Sequence, residues 1–260
     1  MNYAYKRQCI VGGIFCLLIG VVFWGVYRTT RPVPLCTDGI LNQNEEKIDC
    51  GGPCSKCQEA IVQPIEIVGH HLLPSGSTYD ALAHIRNRNR DHGSRSFSYT
   101  FRFYDLNKKQ IGERVGNTFL LAHQTRYIIE NDIILQTPAA FMAFSIDESI
   151  AWEIQDTFKE PLVLPIFSKK FTKINPPHIG FATVSGTIEN KTTTSFAAIA
   201  AHIVLVDAQA KPIAVGKTEI THMRPGQSRS FAVLFTSSFP VPTDIYAEAI
   251  TNVFDSVNVQ

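Results

Sequence analysis

The sequence predicts an all-β protein with two tandem β-sandwich domains, carried behind an N-terminal transmembrane helix and a small cysteine-rich module. Three observations carry this reading. One strand pattern occurs twice, with its matching asparagines, Asn87 and Asn190, 103 residues apart. The 19 residues from Cys9 to Tyr27 contain no charge, and all six cysteines precede residue 58. At 260 residues and 45% hydrophobic content, the chain has room for two separately cored domains. Its 14 Pro and 16 Gly, among many Thr, Ile, Val and Phe, favour strands and turns. Lys plus Arg (24) nearly balances Asp plus Glu (23), so the net charge of +1 argues against a nucleic-acid partner. The expected organisation is a cytoplasmic tail (1–8), a transmembrane helix (9–27), a linker (28–35), the cysteine module (36–57) and sandwiches over 60–156 and 160–260.

The run CIVGGIFCLLIGVVFWGVY matches the length an α-helix needs to cross about 30 Å of hydrocarbon. Trp24 and Tyr27 stand where an aromatic belt meets the headgroups. A cleaved signal peptide is the competing reading. It calls for a shorter apolar core and small residues at the cleavage site, where this chain has Phe23, Trp24 and Tyr27. Phe15 before Cys16 likewise argues against a lipoprotein signal. Charge does not orient the helix, because Lys6 and Arg7 are matched by Arg28 and Arg31. The short tail and the cysteines favour a cytoplasmic N-terminus with the rest of the chain outside.

Cys36, Cys50, Cys54 and Cys57 lie in the segment CTDGILNQNEEKIDCGGPCSKC, which is too short to bury a core and needs staples. Outside the cytoplasm two disulfides are expected, with three pairings open; in a reducing compartment the spacing would suit zinc. Asp38, Asn42, Asn44, Glu46 and Asp49 are oxygen donors that could hold Ca²⁺, the only cofactor in view. The alternative is a turn with solvated acids. The segment resembles a C-x-D-G-x-x-N-x-x-E-x-x-x-D-C-G-G-x-C-x-x-C module of secreted and surface proteins. Cys36, Asp38, Gly39, Asn42, Glu46, Asp49, Cys50, Gly51, Gly52, Cys54 and Cys57 match it, although only three residues separate Glu46 from Cys50.

In the repeat, Ala81, Ala83, Ile85 and Asn87 correspond to Val184, Gly186, Ile188 and Asn190, alternating up to an Asn that opens a turn. Phe97, Tyr99, Phe101 and Phe103 correspond to Ile199, Ala201, Ile203 and Leu205. Asp105 and Asp207 end those strands, and Ile111 and Ile213 return in a hairpin. Gln124-Thr125-Arg126 matches Gln227-Ser228-Arg229, each leading into another strand. Between the copies, Ala151 to Leu164 reads as a connection containing Pro161. With Phe101-Arg102-Phe103-Tyr104-Asp105, Val204-Leu205-Val206-Asp207 and Arg224-Pro225-Gly226, the pattern resembles the bacterial FxLYD-like family of immunoglobulin-type sandwiches. The resemblance implies small surface or envelope modules without shared catalytic residues.

No catalytic constellation emerges. The histidines (70, 71, 84, 92, 123, 178, 202 and 222) form no zinc spacing. His84 and His202 fall opposite the apolar faces and are expected to be solvated, and the adjacent pair His70-His71 would need acids from elsewhere to hold a metal. Arg86, Arg88, Arg90 and Arg95, with Arg102 on the next strand, form a candidate basic patch for an acidic ligand; the alternative is a solvated hairpin tip. The leading expectation is therefore a non-catalytic, membrane-anchored structural or interaction protein of a bacterial cell envelope, with the bilayer and other envelope proteins as partners. A binding module for a carbohydrate or other envelope polymer comes second, and an enzyme third.

Overall fold

The computed structural model describes residues 3–30, 36–42, 44–57, 62–155, 162–175 and 180–259. The linker residues 31–35, Pro161 and His178 lie outside them, as do the side chains of Lys6, Arg7 and Cys9. The chain divides into two compact units, Met1–Ile61 and Val62–Gln260.

The first unit holds α1 (Tyr3–Thr30) and the cysteine module. Ile10–Thr29 is long and apolar enough to cross a membrane, and none of it is buried by protein. From Ile10 to Val26 its described Leu, Ile, Val and Phe side chains are exposed.

The second unit is all β. It contains β1 (Glu66–Ser75), β2 (Thr78–Arg86), β3 (His92–Tyr104), β4 (Gln110–Leu120), β5 (Thr125–Ile133), β6 (Phe141–Ile146) and the two-residue β7 (Glu153–Ile154). These are followed by β8 (Ile166–Lys173), β9 (Ala182–Glu189), β10 (Phe196–Val206), β11 (Pro212–Met223), β12 (Ser228–Phe235) and β13 (Asp244–Ile250). The first sandwich faces β1-β2-β5 against β4-β3-β6, and the second faces β8-β9-β12 against β11-β10-β13. Sliding the strand numbers by seven converts one topology into the other, and all the pairings are antiparallel.

Burial follows the alternation read from the sequence. Ala81, Ala83, Ile85, Phe101 and Phe103 fill one core, and Val184, Ile188, Ile199, Ile203 and Leu205 fill the other.

The polar joints repeat atom by atom. Asn87, buried at the end of β2, donates Nδ2 to His92 O and Leu121 O while Oδ1 accepts Asn89 N. Asn190 donates Nδ2 to Thr194 O and Met223 O, and its Oδ1 accepts Thr192 N. Asp105 Oδ1 accepts from the amides of Asn107 and Lys109, as Asp207 Oδ1 does from those of Gln209 and Lys211. Gln124 Oε1 accepts Leu121 N, and Gln227 Oε1 accepts Arg224 N. The two asparagines satisfy backbone groups buried at the joint, whereas the aspartates and Gln227 order exposed turns.

Replacing Asn190 with Ala removes its bonds to Thr194 O, Met223 O and the buried Thr192 amide, and is expected to cost about 3 kcal/mol. Urea unfolding of the full chain in detergent measures this. A loss below about 0.5 kcal/mol, the range of an ordinary surface substitution, would refute the joint's role.

Candidate functional site

In the cysteine module, Cys36 bonds Cys54 and Cys50 bonds Cys57, with Cα separations of 5.6 and 4.8 Å. Cys16 is a free, exposed thiol on the apolar helix. The acid at the centre of the module is Glu45, where the sequence pointed to Glu46. Glu45 is buried, and its Oε2 accepts the amides of Asn42 (3.3 Å) and Asp49 (3.2 Å). Glu46 is exposed and contributes its backbone, whose amide bonds Cys50 O. Counting N-x-x-E from Asn42 lands on Glu45 and restores the module's spacing to Asp49 without an offset; this signal was available in the sequence. Gly51 and Gly52 both have positive φ, and a Cβ on Gly51 would lie 2.6 Å from that of Glu46, so the turn requires both glycines.

Of the side-chain oxygens considered for Ca²⁺, those of Asp38 and Asp49 are engaged within the module, whereas Asn42 Oδ1 is buried without a described partner. Asp38 accepts from Ile40 N and Asn42 Nδ2, and both Asp49 oxygens accept from Gly39 N. Asn44 adopts a positive φ at an exposed turn. Cys36, Cys54 and Glu45 bring ligand-type atoms within 4.8 Å of one another, but the two sulfurs are joined to each other and so are not thiolate ligands.

The arginines do not act as one free patch. Arg88 is bidentate to Glu66, which also lies 3.8 Å from Arg86. Arg95 is bidentate to Glu153 and donates to Phe254 O. Arg102 donates to Ser145 Oγ and approaches Glu113 at 3.9 Å. Arg90 is exposed beside a shallow depression that Arg86, Arg88 and His123 also line. Among the described residues, no carboxylate joins His70 and His71 in a metal-type cluster.

The principal feature that sequence reasoning missed is the junction between the sandwiches. The outer face of β1-β2-β5 packs on the outer face of β11-β10-β13, burying Leu73, Leu82 and Ile129 against Val204, Val206 and Val215. β5 is an edge strand, and its free backbone groups find side chains of the other sandwich. Tyr127 N donates to Glu248 Oε1 (2.8 Å), Tyr127 O lies 3.1 Å from His202 Nδ1, and Ile129 O accepts Lys217 Nζ (2.8 Å).

The expectation of solvated histidines is thus corrected. His202 is buried in the junction, and His84 is half-buried and stacked on Tyr127 with ring centroids 4.5 Å apart. Burial lowers the His84 pKa, with Glu248 opposing and Arg86 reinforcing the shift. The unbroken apolar run Ile203 to Val206 was the available signal, since alternation is lost where both faces of a strand are covered.

Two hollows lie along this junction. One, of about 200 Å³, is lined by Asp80, Asn131, Asp132 and Lys217 together with other residues of β11 and β12. Burial raises the pKa of Asp80, although hydrogen bonds from the Asn131 side chain and the Asp132 amide oppose the rise. The other is a cleft of about 390 Å³ whose wall includes Arg126, Phe119, His202, Glu219 and Asn258. Arg126 is 5% exposed, and burial holds its pKa down to about 10. Neither hollow forms a recognisable catalytic constellation.

In comparisons with known proteins, no family model matches the chain, and no curated protein matches it.

Two outcomes follow from this geometry. Glu45→Ala removes the acceptor of two amides and is expected to make the module's disulfides more easily reduced, whereas Glu46→Ala leaves them unchanged; alkylation under graded dithiothreitol compares the two. For Asp80, a pKa raised on folding means that its favourable contribution is complete below the ordinary Asp range and is lost as pH rises through the folded value. Asp80→Asn is therefore expected to raise Tm at pH 7, with the gain fading below about pH 4, where both states of the parent carry a neutral carboxyl. A gain that persists unchanged at low pH would refute the assignment.

Proposed function

We propose that this chain is a non-catalytic, membrane-anchored protein whose paired sandwiches stand outside the cytoplasm as one rigid structural or docking body for other envelope proteins. The carrying observation is the conjunction of two disulfides with a 20-residue apolar helix in one short stretch of chain. Disulfides persist in oxidising compartments, and a module this small depends on them. A helix long enough to cross a bilayer, next to disulfides that persist in oxidising compartments, supports a reading in which the module and the sandwiches stand on the oxidising side. The resemblance to surface modules of bacterial envelopes supports the same placement.

Rigidity is what this reading draws from the second unit. Two sandwiches joined only by a linker would reorient freely, whereas a junction with its own apolar layer and hydrogen bonds presents fixed surfaces to a partner.

Protease added to the outside of intact cells producing the full chain is expected to remove everything beyond Arg28, leaving a short membrane-retained stub. Without reductant, only Cys9 and Cys16 are expected to react with a thiol reagent in the solubilised protein. Full protection of the sandwiches in intact cells, or four additional reactive thiols, would overturn the proposed orientation.

A further inference from the structure

Arg126 is a charged group of the junction that its described surroundings leave incompletely satisfied. Its Nη1 donates to Phe119 O at 2.8 Å, and its guanidinium lies 4.7 Å from the centroid of the Phe119 ring. Its Nε is buried with no partner, and no described carboxylate pairs with it within salt-bridge distance. Glu248, the acid with most influence on it, is already occupied by Tyr127 N and lies 3.5 Å from His202 Nδ1. A buried cation without a counter-charge costs several kcal/mol after relaxation, and that cost is recovered when an anion arrives.

The repeat shows that this burial is not a demand of the sandwich itself. Arg229 occupies the matching position in the second copy and donates Nη1 to Thr221 O at 2.7 Å, just as Arg126 donates to Phe119 O. Yet Arg229 is exposed. Arg126 is enclosed because the second sandwich covers it, and that covering forms the cleft.

The other buried polar groups of the cleft are already spent on one another. Asn258 bonds Thr251 Oγ1, Asn252 O and Ala198 N, and Thr251 bonds Ala198 O. His202 faces Tyr127 O. What remains is the guanidinium, a wall of small apolar residues that includes Ala197 and Ala198, and two exposed acids, Glu219 and Asp255, of which Asp255 also accepts the Val257 amide through Oδ1 at 2.9 Å.

We infer that this cleft binds a zwitterionic ligand of the free-peptide type, its carboxylate taken by Arg126 and its ammonium by the acids Glu219 and Asp255. A guanidinium is suited to a planar carboxylate. The acids on the same cleft discriminate against simple anions and favour a ligand that also carries a positive charge.

Isothermal titration of the full chain in detergent with trialanine tests this, using trialanine amide and inorganic phosphate as controls. Saturable binding of trialanine is expected, weakened at least about tenfold for the amide, with no comparable binding of phosphate. Arg126→Met keeps an unbranched apolar stem and removes the charged guanidinium. It is expected to leave the Tm of the free protein unchanged or higher, to abolish binding, and to lose the ligand-induced rise in Tm seen in the parent. Equal binding of acid and amide, tighter binding of phosphate, no saturable binding of trialanine, or unchanged binding by Arg126→Met would overturn the assignment. The comparison of acid with amide needs no variant, so it stands even if Arg126→Met folds poorly.

Discussion

The free edge of β5 is the constraint on which the two-sandwich body depends. An edge strand presents amides and carbonyls that need partners, and here those partners are side chains of another domain. Glu248, His202 and Lys217 reach across to Tyr127 and Ile129. Satisfying that edge brings β10 and β11 against the outer face of β1-β2-β5, so β2 and β10 become covered on both faces. The buried state of His202, the raised pKa of Asp80 and the enclosed charge of Arg126 all follow from that one contact.

Much of the fold could be read from the chain because each sandwich obeys local rules. The alternation in β2 and β9, and in β3 and β10, marks the inward positions. The residues that interrupt it, Asn87, Asp105 and Gln124 with Asn190, Asp207 and Gln227, are those whose side chains pair with turn backbone. β1, β6, β8 and β13 were less legible: they flank the central strands, and long parts of them are half-exposed, which weakens their pattern. The junction was least legible. Period-two reasoning assigns one face of a strand to solvent, and apart from the apolar run Ile203 to Val206 nothing local says that another sheet takes the solvent's place. The basic run was legible as arginines but not as ion pairs, because Glu66 and Glu153 reach Arg88 and Arg95 only through the folded sheet.

The two copies differ most where they meet. At matched positions, Arg126 and Arg229 make the same bond to a backbone carbonyl, but one is buried and the other exposed. An arginine tolerated at an open strand position becomes energetically expensive once covered, and most such residues would be exchanged for apolar ones without loss of packing. Arg126 lines a cleft with its Nε unpartnered, whereas neighbouring Asn258 and Thr251 are bonded to each other and to backbone.

The composition of the junction also bears on how firmly the sandwiches are oriented. Six buried apolar residues give adhesion without direction, because a small patch of Leu, Ile and Val loses little when one sheet slides across another. The polar contacts supply what that patch lacks. Asn131 donates to Val215 O while Lys217 donates to Ile129 O, and a shift by one residue in either sheet would leave these carbonyls and the Tyr127 amide buried without partners. Each orphaned group costs about 1–3 kcal/mol, comparable with the whole advantage of one apolar contact over another. Register is therefore set by hydrogen bonds to backbone, and the apolar layer sets how strongly that register is held.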